Sequence, residues 1–278
     1  MTVLSFTLVL LVAALLAGLL GSMTGLGGGI IITPLLTLAF NIDIHYAIGT
    51  SLVAVIATSS GAAIAYLKEG ITNMRLGMFL EVATTAGAVV GTLLVLWVPT
   101  HAIAIIFGAM LLFSAAMNIR KRVEHIETQH KSKLADQLKL NSTYPTKTGM
   151  VSYTVRHVPA GFLCMFGAGI LSSLLGIGSG AFKVLAMDNI MRLPFKVSTT
   201  TSNFMIGVTA AASTVAYFHR GYIDPALAFP VVVGVLIGAT IGSRILIGSG
   251  VRILRFIFSA VIIIVAIQMI ISGINGRI

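Results

Sequence analysis

Long apolar runs, rather than alternating apolar and polar positions, organise the chain. They lie near residues 3–22, 30–40, 46–67, 76–98 and 101–119, and again near 158–177, 181–191, 196–218, 226–248 and 252–274. A hydrocarbon core of about 30 Å takes roughly 20 apolar residues to cross as a helix. The runs at 30–40 and 181–191 fall short of that and predict half-helices or strongly broken spans. The others predict crossing helices, so the expected fold class is an all-α polytopic membrane protein. No Lys or Arg precedes the first run, which continues directly into a glycine string. It therefore reads as a span and not as a signal peptide.

Composition narrows the class further. Hydrophobic residues make up 57% of the 278 positions and charged residues only 9%, with a mean hydropathy of +1.02. A soluble surface needs more interspersed charge than this, which excludes soluble enzymes, secreted disulfide scaffolds and disordered tails. The formal net charge of +10 sits in loops between apolar runs, so it points to membrane topology and away from a nucleic-acid partner. A single cysteine, Cys164, rules out an internal disulfide and a CxxC metal site.

The one long polar stretch, 120–157, carries eight Lys or Arg against three Asp or Glu. The bias of basic residues toward cytoplasmic loops puts it in the cytoplasm. Alternating the spans outward from it places Lys68, Arg75, Arg192, Lys196, Arg244, Arg252 and Arg255 on the same side. Only Arg220 and Arg277 fall outside, Lys183 lies within the membrane, and both termini face outward. The organisation expected is a first membrane repeat over 1–119, a basic cytoplasmic linker over 120–157 and a second membrane repeat over 158–278.

The repeat is visible directly. A displacement of 151 positions lays one half on the other without a gap for about seventy residues. Gly18 falls on Gly169, Gly25, Gly27 and Gly29 on Gly176, Gly178 and Gly180, and Thr50-Ser51 on Thr201-Ser202. Ala65-Tyr66 falls on Ala216-Tyr217, and Gly87 and Gly91 on Gly238 and Gly242. An odd number of crossings per half gives the copies opposite orientations. Inverted repeats with a broken helix in each are the architecture of secondary transporters, with the substrate near the midplane.

The two strings Gly25-Leu26-Gly27-Gly28-Gly29 and Gly176-Ile177-Gly178-Ser179-Gly180 lack the spacing of dinucleotide or P-loop motifs. Within a membrane they allow a helix to stop and restart. The restarting segment offers free N–H groups and a positive dipole end to an anion. That site reading stands against tight helix packing, which is the reading for Gly87, Gly91, Gly234, Gly238 and Gly242. Lys183 lies about 13 Å along the helix from Arg192 at 1.5 Å per residue. It either attracts the anion or serves structure by snorkelling; its counterpart in the first half is Ile32. Glu81 lies about 9 Å past Arg75. A structural ion pair near the cytoplasmic interface is the simpler reading, with a coupling proton as the other. The clusters Thr50-Ser51 and Thr199-Thr200-Thr201-Ser202-Asn203 open corresponding helices. Their hydroxyls can donate to an oxyanion or bond back to helix carbonyls. The six histidines stand at span edges or in the central loop, so no metal or other cofactor is expected.

With GLGGG, GTSL, GIGSG and TTTSNFMIGVTAA in place, the chain resembles the sulfite exporter TauE/SafE family of bacterial membrane permeases, over residues 5–275. The resemblance implies a multi-pass transporter of the cytoplasmic (inner) membrane that handles small anions such as sulfite and sulfonates. The second half departs from the first: Gly-Ser-Gly-Ala-Phe-Lys replaces its glycine run, and Leu185 stands where Pro34 does. That looks like a subgroup with Lys183 in the site. The function expected is alternating-access transport of a small anion, as export and with proton coupling as an option. An anion channel or facilitator is the alternative, and an enzyme is disfavoured. The partners expected are a small anionic substrate and the lipid bilayer; the sequence leaves the oligomeric state open.

Overall fold

The computed structural model describes residues 3–24, 27–95, 97–119, 132–146, 149–248 and 252–276. The first half contains α1 (Val3–Thr24), the short α2 (Gly29–Pro34), α3 (Ile44–Lys68), α4 (Met74–Leu94) and α5 (Thr100–Ile119). A small α6 (Lys133–Gln137) and the strands β1 (Ser142–Thr146) and β2 (Gly149–Tyr153) follow. The second half contains α7 (Val158–Leu175), the short α8 (Gly180–Leu185), α9 (Phe195–His219), α10 (Pro225–Gly248) and α11 (Arg252–Ile274).

Among the described residues, α1, α3, α4, α7 and α10 contain stretches long and apolar enough to cross a membrane. Their outer faces carry large apolar side chains, among them Leu4, Leu16, Val82, Leu93, Leu163 and Phe229, all exposed on the isolated chain. A face of that kind is stable against lipid. The protein is a polytopic helical membrane protein. Helix α9 has 25 residues but spends its first half on hydroxyls and Asn203, and it buries nearly all of them.

The halves interlock. Helix α1 packs on α10, and its repeat counterpart α7 packs on α4; α3 packs on α10 and α9 on α4, while α3 meets α9 and α5 meets α11. Small residues permit the closest of these contacts. Gly87 and Gly91 lie against the backbone of Phe166 and Ile170, and Gly234, Gly238 and Gly242 lie against Leu11, Leu15 and Leu19. A side chain at any of them would strike main chain, as expected for interfaces between helices in lipid.

The repeat extends to irregular detail. Each short helix continues into a π-helical turn, Leu35–Ala39 and Ala186–Ile190. Each turn is followed by a left-handed residue, Asn41 (φ 56°) and Arg192 (φ 59°). The chain then doubles back through matching bonds, Ile42 N–H to Leu36 O at 3.0 Å and Leu193 N–H to Met187 O at 2.9 Å.

The central polar stretch holds a short helix and a hairpin where it is described; residues 120–131 lie outside the described residues. Strands β1 and β2 pair antiparallel, with Tyr144 opposite Val151. Leu140, Tyr144, Tyr153 and Val155 are buried in one cluster with Leu76, Met187 and Met191. Asn73, at the turn before α4, locks the hairpin down. Its Nδ2 donates to Leu140 O and to the Tyr153 hydroxyl, both at 2.9 Å, while its Oδ1 caps α4 at Leu76 N–H. Burial pushes the Tyr153 phenol up to about 12, with the Asn73 bond acting in the opposite direction.

Candidate functional site

The two chain breaks meet at the centre of the bundle. Helix α1 stops at Thr24 and α2 starts at Gly29; α7 stops at Leu175 and α8 starts at Gly180. Gly27 (φ 80°) and Gly178 (φ 66°) turn the chain within each gap, a conformation that costs an ordinary L-residue about 1–2 kcal/mol. Gly25 lies outside the described residues. Gly29 faces the carbonyl of Gly176, so that a Cβ there would come within 2.7 Å of it. The Ser51 hydroxyl lies 2.7 Å from Gly176 O and 3.1 Å from Gly29 O, and shares its proton between the two breaks. Ser202 makes the corresponding bond to Gly180 O at 3.3 Å.

The space between the breaks is filled. Val55 of α3 and Ile206 of α9 occupy equivalent places in the two repeats, and each packs against both Gly27 and Gly178. Both are fully buried. A groove of about 670 Å³ lined by Phe79, Leu134, Leu138, Phe162 and other apolar residues lies apart from the breaks, on the side of α6.

Breaking α1 and α7 leaves carbonyls in their last turns without intrahelical partners. Two tyrosines supply them. Tyr66 O–H donates to Ser22 O at 3.0 Å, and Tyr217 O–H donates to Ser173 O at 3.1 Å. Ser22 O also accepts from Asn203 Nδ2 at 3.3 Å. The repeated Ala-Tyr pairs were visible in the sequence, but only the bond geometry reveals their purpose.

The hydroxyl clusters do not open their helices. Helices α3 and α9 begin at Ile44 and Phe195, so Thr50 and Thr201 are each the seventh residue in. The first turns are held further back: Asp43 accepts from Ala47 N–H at its carbonyl and from His45 N–H at Oδ1, and Pro194 O accepts from Ser198 N–H. Of the cluster, Ser51 and Ser202 are engaged with break carbonyls, and Thr201 Oγ1 accepts from Asn73 N–H at 3.1 Å. Thr50 Oγ1, Ser179 Oγ, Thr199 Oγ1 and Asn203 Oδ1 are buried without a hydrogen-bond partner among the described residues. Gly28 lies close to Thr58 Oγ1 on α3.

Two buried charges from different repeats, Glu81 and Lys183, find each other. Glu81 does not pair with Arg75, whose guanidinium reaches toward Lys139 O at 3.5 Å. Lys183 Nζ lies 3.9 Å from Glu81 Oε2. Thr209 joins them, accepting from Lys183 Nζ and donating to Glu81 Oε1, each at 2.5 Å. Lys183 is wholly buried and Glu81 is 5% exposed. Thr209 lies within the stretch TTTSNFMIGVTAA but does not stand out there, because it is alone between Val208 and Ala210, away from the hydroxyl cluster. Only the packing of α9 against both α4 and α8 gives it two charged neighbours.

A polytopic bundle whose two repeats each break a helix at a shared polar centre is built as a membrane transporter. Comparison with known proteins agrees. The chain is 27% identical to the probable membrane transporter protein YunE of Bacillus subtilis over 96% of its own length and 98% of the relative's. It is 29% identical to the probable membrane transporter protein YdhB of the same organism, over 85% and 89% of the two chains. A probable membrane transporter protein of Xylella fastidiosa is 26% identical over 91% and 92%. The chain belongs to the sulfite exporter TauE/SafE family, whose model matches residues 10–269. These relatives are all named as probable membrane transporters, and none as an enzyme. No solved structure matches the chain.

Proposed function

We propose that this protein is a secondary transporter that carries a small anion, of the sulfite, sulfonate or sulfur-oxyanion class, across the cytoplasmic membrane by alternating access. The observation that carries the reading is the abutment of the two breaks. Segments from different repeats bring Gly27–Gly29 and Gly176–Gly180 together, with the buried, unpartnered hydroxyl of Ser179 inside the second break and that of Thr50 next to Ser51, which bonds both breaks. Unsatisfied buried polar groups are costly unless a ligand completes them. An oxyanion supplies acceptor oxygens, and the first N–H groups of α2 and α8 add donors.

The interchange of α1–α10 and α7–α4 contacts supports two repeats of opposite orientation, with loop 120–157 in the cytoplasm and both termini outside. Filling by Val55 and Ile206 corresponds to a closed state, which opens as one set of helices rocks against the other. The prevailing gradient sets whether the anion leaves or enters.

Purified protein in liposomes, challenged with sulfite, sulfate, thiosulfate and short sulfonates, tests the reading. Saturable flux of one of these supports it. A large conductance that does not saturate would replace the transporter with an anion channel.

A further inference from the structure

One of the two repeat-related positions beside the breaks is charged and the other is not. Glu81, Lys183 and Thr209 fall on Val232, Ile32 and Thr58 of the opposite repeats. Ile32 is buried in an apolar cluster against which Val232 packs. Thr58 bonds back to Ala54 O at 2.8 Å, just as Thr209 bonds back to Met205 O at 3.1 Å. The architecture therefore accommodates two aliphatic side chains at this place. An ion pair buried there is not needed to hold the helices, since its desolvation offsets most of its attraction.

The bonding within the triad is uneven. Glu81 Oε1 accepts from Thr209 and, at 3.4 Å, from Thr85. Glu81 Oε2 accepts no hydrogen bond among the described residues, although it is buried. Lys183 has one bonded N–H among the described residues, to Thr209. Ser179, the left-handed residue that caps α8, accepts the Lys183 backbone N–H at its carbonyl at 3.1 Å; it is 1% exposed, and its hydroxyl has no partner among the described residues.

We propose that Glu81 is the proton-binding group of the transport cycle and that its carboxylate occupies Lys183 in the place the anion takes. This rests on the transport reading above and adds its coupling. With Glu81 ionised, Lys183 is neutralised and the anion is not received. A proton placed on Oε2 keeps both bonds at Oε1 and removes only the attraction to Nζ. Lys183 is then an uncompensated buried cation, and the anion completes it together with the Ser179 hydroxyl. When the anion departs, Glu81 must release its proton to compensate Lys183 again. Each cycle thus carries one proton with one anion, which is electroneutral for a singly charged substrate.

Among the described residues, no other ionisable group competes at this point. Lys196 and His219 stand at the ends of α9, about 20 and 15 Å along the helix from Thr209. The ionisable residue of α7 is Cys164, which is exposed. Asp188, on the π turn after α8, is buried and already has a partner of its own.

Proteoliposomes loaded with a pH-sensitive dye and challenged in turn with sulfite, sulfate, thiosulfate and methanesulfonate test the coupling. Methanesulfonate binds no proton itself near neutral pH and so reports most cleanly. Wild-type protein is expected to move protons with the anion. Glu81→Gln is expected to keep one-for-one exchange of labelled anion while proton movement falls at least about tenfold. Wild-type proton flux from Glu81→Gln, or anion flux without protons in the wild type, overturns the proposal. The double variant Glu81→Val with Lys183→Ile copies the opposite repeat and is expected to fold and to lose both anion uptake and proton movement; retention of either overturns it. If none of the four anions moves in the wild type, the transport reading fails for this class. Infrared difference spectra of the ligand-free protein then decide the proton site separately. A protonated-carboxyl band that grows on acidification and is missing from Glu81→Gln supports it, and its absence from the wild type overturns it.

Discussion

Glu81 and Lys183 come from different repeats, stand 3.9 Å apart and are bridged by Thr209, whereas the same two places one repeat away hold Val232 and Ile32. A single fold thus contains a charged and an aliphatic version of one contact, which makes the energetic role of the charges measurable.

Removing one charge leaves the other buried and unpaired. Glu81→Val and Lys183→Ile are each expected to destabilise the protein by about 3–5 kcal/mol, and the double variant to come within about 1 kcal/mol of wild type or above it. Thermal unfolding in detergent measures all three. A double variant as unstable as the sum of its parents would show that the ion pair holds the bundle together.

The two tyrosine caps differ in redundancy. Ser173 O depends on Tyr217, whereas Ser22 O also receives Asn203 Nδ2. Tyr217→Phe is therefore expected to cost about 1–3 kcal/mol, the range for an orphaned buried acceptor. Tyr66→Phe should cost less. Equal losses in a detergent unfolding assay would argue against the difference in capping.

Val55 and Ile206 fill the gap between Gly27 and Gly178. Replacing both with Ala is expected to raise passive anion leak in liposomes by about tenfold, the equivalent of about 1.4 kcal/mol off a barrier. Unchanged leak in a folded double variant would place the closed barrier elsewhere.

The hairpin should come loose in alkali. Tyr153 titrates near its ordinary value of 10 when released and at about 12 when docked. Docked protein therefore keeps the phenolic proton between those values and the released hairpin does not. Docking stability is full below pH 10 and falls as pH rises toward 12. Limited proteolysis of the β1–β2 segment across that window measures it, and Tyr153→Phe should remove the dependence.

How much could be read in advance varies element by element. The spans, the two breaks and the repeat were legible because lipid demands continuous apolar helices, and departures at 25–29 and 176–180 stand out against them. The packing glycines were legible for the same reason, since Gly87 and Gly238 recur at helical spacing. The hairpin over 142–153 was not. Its short strands carry Ser, Thr and Pro, and what stabilises them is Asn73, nearly seventy residues earlier.

The site divides along the same line. Gly27, Gly178, Ser51 and Ser202 announced themselves through repetition, and the structure brings them to one place. Glu81 had Arg75 as its natural neighbour along the helix, yet it bonds across the molecule instead.

Local chemistry settles where a chain can enter lipid, where it must stop and which halves are copies, because each of these follows from hydrophobicity and backbone freedom over a few turns. Partnership between distant groups has no such local signature. Whether Lys183 is free or compensated, and whether two breaks enclose a space or close on Val55 and Ile206, depends on how α3, α4 and α9 cross, and that is set by packing of the whole bundle.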